Sequence, residues 1–229
     1  MRFPSLYGVW LQLRPLDLTF WLSALALYGG FHRRHIQSAP DNALFLDIGA
    51  NQGLFAVLAQ KRGLAVMAFE PNPKRFVDLV TNLSINAGGG GIPLCAAITG
   101  DQPGLIDLHI PRFHSGGASI TDQSKGRPHT SLTLGRSFLD HIAEQHKRPI
   151  WVKIDVEGAE PHVLDALFTS KLASRIDGLI IELSGNNHSS QDLERLHQQI
   201  EAQGLIACDR QSFHRHGDAF FQRLDAQPA

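Results

Sequence analysis

A chain of 229 residues, 43% of them hydrophobic, is long enough for one α/β domain with a full core and short for two. A formal charge of −1 argues against a general binder of polyanions, although 12 histidines would let the protein turn cationic just below neutrality. Two cysteines, Cys95 and Cys208, give neither a disulfide framework nor a metal-ligand spacing, so a reducing, cytoplasmic setting is expected.

The first feature in chain order is an apolar run of 14 residues, Leu18 to Phe31. A membrane-spanning helix needs roughly 20, and Arg14 and Asp17 interrupt the approach that a signal peptide would need. The run predicts a helix within an N-terminal helical extension over residues 1–40. That helix packs on the following domain or covers its cleft; peripheral contact with a membrane surface is the other reading. Residues 41–229 form the main domain.

Leu44 to Pro73 then reads strand, glycine turn, helix, strand, acid. The short apolar run Leu44-Phe45-Leu46 ends in Asp47-Ile48-Gly49-Ala50-Asn51-Gln52-Gly53, and a helical pattern follows at once, stopped by Gly63. A second strand, Ala65 to Phe69, runs into Glu70. This is a βαβ unit suited to a nucleoside: the glycines admit close backbone approach, and the helix start offers free N–H groups. Glu70 stands where a carboxylate accepts hydrogen bonds from ribose hydroxyls. The spelling D-x-G-x-N-x-G departs from the dinucleotide fingerprint G-x-G-x-x-G, which counts against a nicotinamide-dependent oxidoreductase.

Further along, Pro73 opens a helix ending near Gly88, and Gly88 to Gly91 reads as a hinge or loop. Ile92 to Ile98 predicts a third strand, and Leu105 to Ile110 an added hairpin strand. The stretch from Pro111 to Arg136 is a weakly patterned insertion. Ile150 to Val156 predicts a fourth strand carrying Lys153 and Asp155, followed by a helix over Ala159 to Phe168. Leu179 to Leu183 predicts a fifth strand beside Glu182, and Ser189 caps the next helix. Leu205 to Cys208 and Ala219 to Leu224 suit an antiparallel hairpin around His216-Gly217-Asp218. The fold class is therefore α/β: a doubly wound, mostly parallel sheet with a C-terminal antiparallel hairpin. Ligands bind at the carboxyl ends of such strands, which brings Asp47, Glu70, Ile98, Asp155 and Glu182 to one edge.

FLDIGANQG, AFEPNP and WVKIDVEGAE, in that order, resemble the FkbM family of S-adenosylmethionine (SAM)-dependent methyltransferases, within the Rossmann-like class I. Asp155 to Glu160 is that family's most distinctive element, and the resemblance covers about Leu44 to Leu183. It implies SAM as cofactor, held by Asp47, Gly49, Asn51, Gly53, Glu70 and Asn72. It also implies O-methylation of a hydroxyl on a sugar, glycan or secondary metabolite, a small-molecule or glycan acceptor rather than nucleic acid. The insertion would lie near the active site, where the family shows an acid after a Thr-Leu pair; here Gly135 follows Thr133-Leu134.

A hydroxyl acceptor needs a group to take its proton. Asp155 is the first candidate, because the end of the fourth strand faces the methyl group in the resembled fold, and Glu157 follows in the turn. Asp155 could instead orient Lys153, and Glu160 could serve its helix N-terminus. His188 and His114 are loop histidines that could act as bases. Asp155, Glu157 and Glu182 would suit Mg²⁺, but no spacing demands a metal and none is expected; His214 and His216 lack an evident third ligand. A non-catalytic SAM-binding module using the N-terminal helix is the remaining alternative.

Overall fold

The structure, a computed structural model, describes residues 1–86, 90–111, 118–121, 126–213 and 216–224. Gly88, Gly89, His114, His214 and the polar stretch 122–125 lie outside the described residues.

The N-terminal extension is less helical than expected. It opens with an antiparallel hairpin, β1 (Arg2–Pro4) and β2 (Trp10–Gln12). The apolar run then makes two helices, α1 (Leu18–Ala24) and α2 (Gly30–Gln37). Asp17 caps α1 by accepting from the Thr19 and Phe20 N–H groups. Between the helices the chain turns through left-handed backbone at Ala26 (φ 54°) and Gly29 (φ 93°). A Cβ at Gly29 would stand 2.8 Å from the Phe55 ring, so the break falls where the extension crosses the next helix. Among the described residues no helix is long and apolar enough to cross a membrane.

The main domain follows the expected alternation: β3 (Leu44–Ile48), α3 (Leu54–Arg62), β4 (Ala65–Phe69) and α4 (Pro73–Ile85). The expected third strand is split. β5 (Gly91–Leu94) stays beside β4, whereas β6 (Ala97–Ile98) leaves for a three-stranded sheet with β7 (Gly104–Ile110) and β8 (Arg127–Leu134). Then come α5 (Arg136–Gln145), β9 (Ile150–Ile154), α6 (Glu160–Thr169), β10 (Ile176–Glu182) and α7 (Ser190–Glu201). Ser189 and Asp192 close the capping box of α7. Gly135 has a local reason: a Cβ there would lie 2.4 Å from the Asp101 backbone. The final hairpin, β11 (Leu205–Phe213) and β12 (His216–Arg223), is longer than expected. Asp218, expected in its turn, instead pairs with Glu182 of β10.

The seven-stranded sheet runs β11-β12-β10-β9-β3-β4-β5, with β12 antiparallel to both its neighbours and the strands from β10 to β5 parallel. The strand order reverses between β3 and β9, the crevice where such sheets bind ligands. Period-two alternation divides the core. Phe45, Val66, Trp151, Ile180 and Phe220 face the extension, α3 and α4. Leu46, Ile48, Val152 and Ile154 face α5, α6 and α7. The extension supplies Tyr7, Val9, Leu11, Phe20 and Phe31 to the first of these clusters, so it is part of the core. Side chains of α4 tie it down, with Asn82 and Asn86 accepting from the Gln12 and Trp10 N–H groups.

Candidate active site

The turn after β3 is shaped by close approach. Gly49 (φ 78°) lies against the chain leaving β9: a Cβ would come within 1.9 Å of the Asp155 carbonyl oxygen. The Asp155 N–H donates to the Ile48 carbonyl at 3.1 Å, which locks the two loops together at the switch point. Asn51 also takes left-handed backbone (φ 51°), and its N–H donates to Glu70 Oε2 at 2.7 Å. The Asn72 N–H donates to Glu70 Oε1 at 2.8 Å. Glu70 is thus braced through both oxygens, each of which retains a second acceptor lone pair. Burial pushes its carboxyl up to about 7 against the opposing effect of the two backbone N–H groups.

Of the six expected cofactor positions, Gly49, Asn51 and Glu70 line the cavity described below. The other three shape it from behind. Gly53 is a packing position, where a Cβ would meet the Leu79 side chain at 2.5 Å. Asn72 is buried and caps α4 by accepting from the Lys74 N–H at 3.1 Å. Asp47 is fully buried beneath the turn, its Oδ1 3.2 Å from Lys153 Nζ.

Lys153 links the two loops. It is buried beside Asp47 in the β3–β9 register, and its Nζ donates to the Gly49 carbonyl at 2.8 Å and lies 3.6 Å from Asp155 Oδ2. Burial alone would pull its pKa down, but Asp47 and Asp155 outweigh that and hold the ammonium charged. Burial likewise opposes charge on Asp155, yet Lys153 and a hydrogen bond with Glu182 hold it below the usual carboxylate range. The reading of Asp155 as an orienter of Lys153 therefore runs in the other direction as well: each fixes the charge of the other.

Alternation places two more acids on the same face. Ile180 and Phe220 point towards the extension, so Glu182, two residues after Ile180, and Asp218, two before Phe220, do so too. With Asp155, the residue after β9, they make a row of carboxyls along the edge formed by β9, β10 and β12. Burial and the neighbouring Asp155 push Glu182 up to about 10 and Asp218 up to about 7. Above the row stand Tyr28, whose hydroxyl donates to Asp155 Oδ2 at 3.4 Å, and His32, buried and pushed down to about 3 by that burial.

Glu157 (φ 53°) lines the cavity from the turn before α6. Glu160 does not: its Oε1 accepts from the Val156 and Gly158 N–H groups, at 3.3 and 3.2 Å, and so builds that turn. Glu160 Oε2 meets His188 Nε2 at 2.6 Å, so His188 is a clamp on the turn rather than a solvated loop histidine. From the insertion, Ala118 and Ile120 reach the cavity wall. Among the described residues no three His, Cys, Asp or Glu side chains are grouped to hold a metal ion. Sequence reasoning missed Tyr28 and Asp218; the first sits beside the Gly29-Gly30 break and the second in the strand alternation ahead of Phe220.

These groups surround a cavity of ≈ 940 Å³, walled by the Gly49–Gln52 turn, Glu70, Lys153, Asp155, Glu157, Glu182 and Asp218 and closed by residues of the extension from Thr19 to Arg34. Its size fits a nucleoside cofactor together with a second substrate. The Gly49–Gln52 turn at the cavity wall and the lone pairs of Glu70 suit an adenosyl group. The doubly wound sheet with this cavity at its switch point has the architecture of the class I, Rossmann-like methyltransferases.

The methyltransferase FkbM domain matches residues 47–223, and the chain belongs to that family. Solved structures share the fold. An rRNA methylase from Streptococcus thermophilus aligns with TM-score 0.53 at 13% identity, covering 85% of this chain and 95% of that one. A precorrin-6y C5,15-methyltransferase from Geobacter metallireducens aligns with TM-score 0.50 at 10% identity, covering 92% of each chain. No curated protein matches the chain.

Proposed function

We propose that this methyltransferase methylates a hydroxyl of a sugar, glycan or secondary metabolite, with Asp155 as the base. The observation that carries this reading is the row Asp155, Glu182 and Asp218, with Lys153 beneath Asp155. When bound, SAM supplies a methyl group already activated by its sulfonium. The chain's own residues would do the rest. Gly49, Asn51 and Glu70 would hold the adenosyl part, and the extension would exclude water. Asp155, kept ionised by Lys153, would take the proton that the acceptor hydroxyl gives up. Glu182 and Asp218 provide polar positions for neighbouring hydroxyls. The rRNA methylase and this chain share a fold, which implies no shared substrate.

The test is transfer from methyl-tritiated SAM into separate pools of glycans, small metabolites and RNA. Label in a hydroxyl-bearing saccharide or metabolite is expected. Label confined to RNA, or SAM binding with no label in any pool, would contradict the proposal.

A further inference from the structure

The N-terminal extension reaches both halves of the site. On the turn side, Gln52 Nε2 donates to Ser23 Oγ at 3.2 Å, both side chains being buried. On the acid side, the Tyr28 hydroxyl donates to Asp155 Oδ2, the oxygen that Lys153 also approaches. Tyr28 is itself fixed from three directions. Its carbonyl accepts from the Tyr7 hydroxyl at 2.7 Å, and its N–H donates to the Leu22 carbonyl at 3.2 Å. Its ring packs on Phe55 and His32, with centroids 5.7 and 5.8 Å away. Leu22, Ala26, Leu27 and Phe31 also line this wall, and Phe would fill the place of Tyr28 at no packing loss were its hydroxyl idle.

We propose that Tyr28 is a positioning residue for methyl transfer: the extension supplies a hydroxyl that orients the Asp155 carboxylate towards the acceptor. The inference rests on Asp155 being the base. Lys153 below it and Glu182 beside it also limit rotation of the carboxylate. A hydroxyl donor at Oδ2, 3.4 Å away and beside the Lys153 ammonium, restricts the plane of the group, and a base must be held in a narrow geometry to act. Charged and titratable groups facing Asp155 are Lys153 on β9, Asp47 on β3, Glu182 on β10, Asp218 on β12, and Tyr28 and His32 from the extension.

Tyr28→Phe keeps the ring and removes the donor. Two readouts test it, with S-adenosyl-homocysteine saturating the protein for the first. In carboxyl-labelled aspartate NMR, with Asp155→Asn used to assign the signal, the Asp155 titration should move to higher pH, because a donor to the ionised form has been lost. Initial transfer from tritiated SAM into the wild-type protein's acceptor pool should fall by roughly threefold to tenfold, the share of one hydrogen bond, with SAM affinity unchanged. An unmoved Asp155 titration, or a wild-type transfer rate, overturns the inference. Should Asp155→Asn itself transfer at the wild-type rate, the assignment of the base falls instead; wild-type transfer by Tyr28→Phe while Asp155→Asn is inactive would condemn the positioning role alone.

Discussion

On the turn side of the cavity, Gly49, Asn51 and Glu70 come from one continuous βαβ unit, and backbone N–H groups hold them. On the acid side, Tyr28, Lys153 with Asp155, Glu182 and Asp218 come from four separate segments, held by side-chain contacts and strand register. The turn side is a local solution, since its geometry follows from where glycine and left-handed asparagine stand. The acid side exists only after the whole sheet and the extension have assembled. Cofactor capture and acceptor chemistry should therefore fail separately, and substitutions can pull them apart.

The largest effect is expected from removing the extension. Burying a large apolar side chain contributes about 1.5–3 kcal/mol, and Tyr7, Val9, Leu11, Phe20 and Phe31 together approach the whole stability of a domain. Deleting residues 1–37 should thus leave no soluble protein with a cooperative thermal transition. A soluble fragment with a sharp melt would show that the two sides of the site do not share a core.

Next in size is Lys153→Met. It strands Asp47 and Asp155 in the interior, where breaking a buried ion pair costs about 3–5 kcal/mol. Denaturant titration should register that loss, and an unchanged midpoint would remove Lys153 as the link between the sides.

A smaller effect belongs to the turn side alone. Glu70→Ala should weaken SAM by about one to two decades, the equivalent of charge-assisted bonds of about 1.5–3 kcal/mol, with the fold retained. Calorimetry showing wild-type affinity would take Glu70 out of the cofactor site. The pH dependence sharpens this. Because burial raises the Glu70 pKa to about 7, the stability this group contributes is present below its ordinary range and lost as pH rises through about 7. Ribose hydroxyls favour the ionised form, so SAM should bind more tightly as pH rises through that value. Glu70→Gln should flatten the dependence, and a slope surviving in it would point to Asp218 instead.

The same contrast decides what the sequence could tell. Asp47 to Gly53 and Glu70 are legible because contiguous motif and local geometry coincide, and the strand edge already grouped Asp155 with Glu182. What the motif could not separate was contact from support: Gly53 and Asn72 carry the pattern, yet serve Leu79 packing and the α4 cap. Tyr28 was hidden because an apolar run conceals a break at Gly29-Gly30, and its partner lies 127 residues away. Asp218 was hidden because a His-Gly-Asp triplet reads as a turn, whereas pairing with β10 draws it into a strand.

The most direct measurement is made on Asp155→Asn, which keeps the side-chain shape and removes the charge. SAM affinity is read by calorimetry, and methyl transfer is read with tritiated SAM on the pool that the wild-type protein labels. The account predicts affinity close to wild type and transfer reduced by roughly 10²–10⁴, the usual share of a positioned base. Transfer at the wild-type rate would contradict the assignment of the base, and loss of SAM binding would contradict the separation of the two sides.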